Sequence, residues 1–177
     1  MKNIELKNGG SAIIREAKVN DAKGMLEYCN LVGGETDFLT FGENEFKISL
    51  EDEERMIENI TNSQNQMFLV VIVNNEIASL ASVMSNQKAR SKHVGTVGIS
   101  VKEKYWGLGI GNEAMKYIIE WAKSNGVTKK LNLLVREDNY KAISLYKKLG
   151  FEDEGMIKQD MCVNGVYYNT IMMGLIL

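Results

Sequence analysis

Residues 94–111 read Val94-Gly95-Thr96-Val97-Gly98-Ile99-Ser100-Val101-Lys102-Glu103-Lys104-Tyr105-Trp106-Gly107-Leu108-Gly109-Ile110-Gly111. The pattern predicts a strand over Val94–Val101, then a charged, glycine-rich loop that opens a long helix. Met115, Ile118, Ile119 and Ala122 form the inner stripe of that helix, and Asn125–Gly126 ends it. A strand that feeds a helix through glycines is a place where backbone amides and the helix dipole together hold an anion. Amides can point at a diphosphate only where no Cβ intervenes. Gly107, Gly109 and Gly111 in alternate positions weaken a helix start, a cost that a purely structural turn leaves unexplained. Lys102 and Lys104 stand nearby in sequence and would add positive charge.

Outward from this stretch, a short apolar strand is expected over Leu131–Val135. A helix over Asn139–Lys148 follows, with Ala142, Leu145, Tyr146 and Leu149 on one stripe and Gly150 as its stop. Phe151–Cys162 and Val166–Leu175 flank Asn164–Gly165, the strongest hairpin signal in the chain. Upstream, Met67–Val73 and Glu76–Ser85 read as a hairpin turned by Asn74–Asn75. Ser11–Glu16 is a strand. A helix capped by Asn20 or Asp21 buries Ala22, Met25, Leu26, Cys29 and Val32 and stops at Gly33–Gly34. A polar stretch runs to about Ile48. Ser49 and Asp52 then open a second helix, with Met56, Ile57 and Ile60 inside. Met1–Gly10 is flexible or a short strand start. The order is β-α-α-β-β-β-α-β-α-β-β: an α+β domain over 1–177, with a mixed, mostly antiparallel central sheet flanked by helices.

Composition excludes several classes. The longest clean apolar run, Met67–Val73, is far short of the ~20 residues a membrane span needs. Net charge is −2, without a basic nucleic-acid footprint. Cys29 and Cys162 lie far apart, which argues against a disulfide framework or a zinc site and for a cytoplasmic setting. The first ten residues carry no apolar leader pattern. Between Glu35 and Glu54, eight acids face one base, Lys47, for a local charge of −7. That stretch suits either a solvated helix start or a cationic partner.

Gly109-Ile110-Gly111-Asn112-Glu113-Ala114 also fits the dinucleotide fingerprint, and Glu137 follows the next strand. In that arrangement the first glycine almost abuts the strand, whereas here Lys102–Leu108 intervene. A different resemblance covers more of the chain. Tyr105 to Gly111 is similar to the pyrophosphate loop of the GNAT N-acetyltransferases, and Trp106 stands where Gln or Arg is usual. Asn139-Tyr140-Lys141-Ala142-Ile143-Ser144-Leu145-Tyr146 with Leu149-Gly150-Phe151 resembles that family's second motif. The ribosomal-protein and polyamine acetyltransferases are the nearest pattern. The resemblance runs from roughly Ile13 to Leu175.

It implies acetyl-CoA as co-substrate. Trp106, Gly107 and Leu108 would bind the cofactor as part of the loop, and the amides of Gly109, Ile110, Gly111 and Asn112 would hold the diphosphate. The pantetheine arm would pair with the backbone of Ile99, Ser100 and Val101. Asn139 would contact that arm, and Tyr146 would place its hydroxyl near the thioester sulfur. The family's substrate contacts between its first two helices make Glu35 and Asp37 candidates for binding the amine. The acceptor would be a small-molecule amine or a peptide amine, with no nucleic acid or membrane partner and no metal. The last hairpin could pair across a homodimer. A non-catalytic acyl-CoA-binding or interaction module of the same fold is the alternative.

The chemistry fits those residues. An ammonium of pKa ~10.4 is only about 0.04% neutral at pH 7, so the amine must lose a proton. Strand amides can stabilise the charge that develops on the thioester oxygen. A tyrosine hydroxyl can protonate the leaving thiolate. Glu35 and Asp37 are also candidates for the base that takes the amine's proton, as are His93 and a chain of waters. Cys29, on an inner helix face, and Cys162, beside the last turn, lack any sign of activation.

Overall fold

A computed structural model describes residues 1–177. Its elements are β1 (Lys2–Glu5), β2 (Ser11–Glu16), α1 (Ala22–Glu35), α2 (Leu50–Thr61), β3 (Met67–Val73), β4 (Glu76–Ser85), β5 (Val94–Val101), α3 (Ile110–Ser124), β6 (Lys130–Arg136), α4 (Tyr140–Lys148), β7 (Glu152–Val163) and β8 (Val166–Ile176). The strands form one sheet in the order β1-β2-β3-β4-β5-β6-β8-β7. Every neighbouring pair is antiparallel except β5 and β6. That topology excludes the doubly wound dinucleotide fold. The expected element order holds, with one addition: residues 2–5 form a strand paired with β2.

Strand alternation sends side chains to two separate cores. Ile14, Leu69, Val71, Leu131, Leu133 and Met173 pack with Met115 and Ile118 of α3, and α4 joins them through Tyr146. On the other face, Val70 meets Met25 and Ile57 of α1 and α2. Tyr28, Cys29 and Val32 continue that face beneath Leu39, Phe41 and Phe46 of the α1–α2 connection.

Local signals explain most element ends. Ser49 accepts the Asp52 amide at the start of α2. Asn74 and Asn75 both hold positive φ, as do Asn164 and Gly165, which matches the right-handed strand twist in two-residue hairpins. One stop signal fails. α1 runs through Gly33 and Gly34 to Glu35. A Cβ at Gly33 would collide with the carbonyl of Gly42, so this glycine lets the following loop lie directly on the helix. Packing offsets the roughly 1 kcal/mol that a mid-helix glycine costs relative to alanine. No helix is long and apolar enough to cross a membrane.

Candidate active site

The parallel pair is incomplete. β5 pairs with β6 only at Val94–Lys130, Gly95–Leu131 and Thr96–Asn132. Beyond these positions β5 continues to Val101 and β6 to Arg136 without further pairing. Two facing strand edges are thus left open in the middle of a sheet, a position where ladder bonds are normally made. At the last paired position the side-chain oxygen of Asn132 is buried and takes no hydrogen bond. The expected donor contacts Ile99, Ser100 and Val101 lie on the stretch of β5 beyond this pairing, where Ser100 turns its carbonyl to Ser79 of β4 and the Val101 carbonyl is taken by Trp106.

The glycine loop caps this groove. After a 3-10 turn at Glu103–Tyr105, Gly107 and Gly109 adopt φ of 79° and 93°. Gly109 is the N-cap of α3, and no side chain satisfies the first turn's amides. Those amides are free for an anion, as a diphosphate requires. A Cβ on Gly111 would sit 3.6 Å from Leu145 and 3.9 Å from Val101, so the position tolerates a methyl in the protein by itself. The Trp106 indole N–H donates to the Val101 carbonyl at 2.6 Å. It anchors the end of β5, a task unlike the diphosphate contact that Gln or Arg would make.

The two loop lysines do not serve the loop. Lys102 is buried, and both it and Lys104 bind Glu76 at 2.6 Å. Hydrogen bonds from Lys102 and Lys104 hold the Glu76 carboxyl down at about 2. The cation that does approach comes from the β1–β2 turn, which sequence inspection passed over. The Lys7 amide donates to the Leu108 carbonyl at 3.2 Å, and its side-chain stem lies 3.8 Å from the Cβ position of Gly109.

Asn139 is the N-cap of α4. Its side-chain oxygen accepts the Ala142 amide at 3.2 Å, which leaves its NH2 group free. Tyr146 lies under α4 with its ring 6.0 Å from that of Phe151. Burial pushes its hydroxyl up to about 12, and no hydrogen bond to the protein opposes the shift.

An open cleft of about 390 Å³ lies beside the groove, lined by Thr36, Asp37, Leu39 and Phe41 of the α1–α2 connection and by Asp160, Met161 and Cys162 of β7. Three acids border it. Glu45 accepts the Gly42 amide and Asp160 accepts the Thr170 hydroxyl, whereas the Asp37 carboxylate makes no ion pair or hydrogen bond. Of the two acids expected to bind an acceptor, Asp37 lines this cleft and Glu35 does not. Glu35 ends α1, and its carboxylate accepts the Glu103 amide at 2.7 Å. His93 is exposed just before β5, at the end of that strand remote from Val101. Burial pushes the Cys29 thiol up to about 12, which makes it unreactive. Under the groove, the Tyr28 hydroxyl meets the Ser100 hydroxyl at 3.0 Å, and Ser79 donates to the Ser100 carbonyl.

The model of the acetyltransferase (GNAT) family matches residues 36–151. The L-amino acid N-acetyltransferase AaaT of Escherichia coli K12 is 30% identical over 105 residues, 59% of this chain and 65% of that protein. The spermidine N(1)-acetyltransferase of the same organism is 36% identical over 75 residues, 42% of this chain and 40% of that protein. Each alignment spans less than two thirds of its relative. The crystal structure of a GNAT-family acetyltransferase from Streptococcus pneumoniae superposes with a TM-score of 0.92 at 30% identity, covering 94% of this chain and 99% of that one.

Proposed function

The chain belongs to the acetyltransferase (GNAT) family, and from that premise we propose that it transfers the acetyl group of acetyl-CoA directly to a primary amine. Acetyl-CoA is the co-substrate of this family. The observation that carries the proposal is the open edge of β5 beyond Thr96, which ends at a glycine-capped helix N-terminus. An extended pantetheine arm would complete the strand edge, and the free amides of the α3 first turn would hold the diphosphate. Lys7 would add a cation there.

In the reaction, the neutral amine nitrogen attacks the thioester carbon and the C–S bond breaks. The Tyr146 hydroxyl gives its proton to the departing sulfur, and the proton that the attacking nitrogen sheds passes to water, from which Tyr146 is reprotonated. Its raised pKa keeps it protonated throughout the neutral range, as a general acid needs. The free NH2 of Asn139 would fix the cofactor arm. Asp37, uncommitted and at the acceptor cleft, would attract the ammonium form of the amine and orient it. That favours a cationic acceptor such as an amino-acid side chain or a polyamine. A cytoplasmic location belongs to the same reading. So does a homodimer, in which a second copy would add to the β7 edge where Met156 and Ile157 are exposed.

Thiol release from acetyl-CoA over a panel of amines tests the proposal. Binding of acetyl-CoA with no turnover on any amine would instead favour the non-catalytic module.

A further inference from the structure

One guanidinium joins the donor groove to the acceptor cleft. Arg136, the last residue of β6, is 7% exposed. Its guanidinium carbon lies 4.3 Å from the ring centroid of Phe38 and 4.1 Å from that of Tyr168. The plane is therefore held between a ring of the α1–α2 connection and a ring of β8. Nη1 donates to the backbone carbonyl of Asp37 at 2.8 Å. Nε and Nη2 hold the Asp138 carboxylate at 2.7 and 3.1 Å. The Asn139 amide donates back to the Arg136 carbonyl at 2.9 Å. The adjoining Glu137 carboxylate takes both the amide and the side-chain NH2 of Asn169, and Asn169 in turn accepts the Gln159 amide at the β7 bulge.

Three segments distant in sequence thus converge on one side chain. They are the residue whose free carboxylate borders the acceptor cleft, the turn that carries Asn139, and the last hairpin. The α1–α2 connection has no strand pairing to hold it. Its other anchors are the packing of Leu39, Phe41 and Phe46 on Tyr28, Cys29 and Val32 and the close approach of Gly42 to Gly33. We propose that Arg136 is the positioning residue that fixes the 36–46 segment, and with it the Asp37 carboxylate, against the mouth of the donor groove. A flat group that lies against two rings while donating three hydrogen bonds to two partners is a guanidinium's task. An ammonium cannot reproduce it. The inference rests on the reading that the 36–46 segment borders the acceptor.

The test compares Arg136→Lys, Phe38→Leu and Tyr168→Leu with the ring-preserving Phe38→Tyr and Tyr168→Phe. Phe38 is 38% exposed, so its replacement spares the fold if the buried arginine variant proves unstable. Backbone hydrogen exchange over residues 36–46 should rise at least tenfold in the first three variants, while exchange over 108–118 stays as in wild type. Spermidine, titrated into protein saturated with CoA, should bind at least fivefold more weakly in all three, and in Phe38→Leu, which leaves the Arg136–Asp138 pair beside Asn139 in place, the acetyl-CoA dissociation constant should stay within twofold. The ring-preserving pair should behave as wild type. Unchanged exchange in folded Phe38→Leu, or faster exchange with unchanged spermidine binding, would overturn the proposal. A wild-type protein with no affinity for acetyl-CoA would defeat the acetyltransferase reading instead, and loop exchange would still judge the arginine.

Discussion

The groove proposed for the donor and the cleft proposed for the acceptor are built by opposite means. The groove is made mainly of backbone: one strand edge and one helix start, within residues 97–112. The cleft is made of side chains gathered from residues 33–45 and 160–164. A backbone site tolerates side-chain replacement, as Trp106 illustrates by binding the Val101 carbonyl where Gln or Arg is usual. It does not tolerate a Cβ where the ligand must approach. A side-chain site has the reverse sensitivity, because its charge and shape change with each substitution.

The largest expected effect sharpens the division between binding and chemistry. Tyr146→Phe should lower turnover by about 10²-fold, in line with general-acid contributions, and leave acetyl-CoA affinity within twofold. Because burial holds the hydroxyl near 12, the wild-type rate should climb with pH as the amine loses its proton. No descending limb from Tyr146 should appear below about pH 10. Turnover within twofold of wild type would reduce Tyr146 to a core aromatic.

Next comes the backbone site. Gly111→Val should weaken acetyl-CoA at least tenfold, about 1.4 kcal/mol. Unchanged affinity in a folded variant would erase the contrast, since a methyl at that position meets only ordinary contacts within the protein.

A smaller effect concerns the support of the groove. Glu76→Gln leaves Lys102 buried without its carboxylate and should cost about 1 kcal/mol in urea unfolding at pH 7. The Glu76 pKa is depressed in the fold, so its stabilisation is complete above about 4.5. It is lost as pH falls through about 2. Acid titration of wild type and variant should therefore converge over that window, and parallel curves would assign the loss to something other than this ion pair.

The smallest effect is on the cleft. Asp37→Asn should raise the Michaelis constant of a cationic amine about three- to fivefold, as expected for a partly solvated pair. Salt should shrink the difference, because exposed charges are screened over ~8 Å at physiological ionic strength. An acceptor screen that returned only neutral or acidic substrates would remove the role given to Asp37.

The sequence by itself determined nearly all elements and the strand, glycine loop and helix start that border the groove. The groove's parts are contiguous, and glycine spacing, a strand period and a helix stripe are local signals. The Asn139 and Tyr146 motif was legible for the same reason, and Asn139 does cap its helix. Only the tertiary structure decided the rest. Gly33 looked like a helix stop because its reason, the Gly42 backbone, comes from a loop nine residues on. Lys102 and Lys104 looked like diphosphate ligands until β4 brought Glu76 to them, while Lys7 reached the loop from the other end of the chain. Glu35 and Asp37 were equal candidates in sequence, and only the fold shows that Asp37 borders the cleft while Glu35 accepts the Glu103 amide. Arg136 carried no signal beyond its place before the Asn139 motif. Its partners lie 98 and 32 residues away in sequence, and contacts at that separation exist only once the sheet has formed.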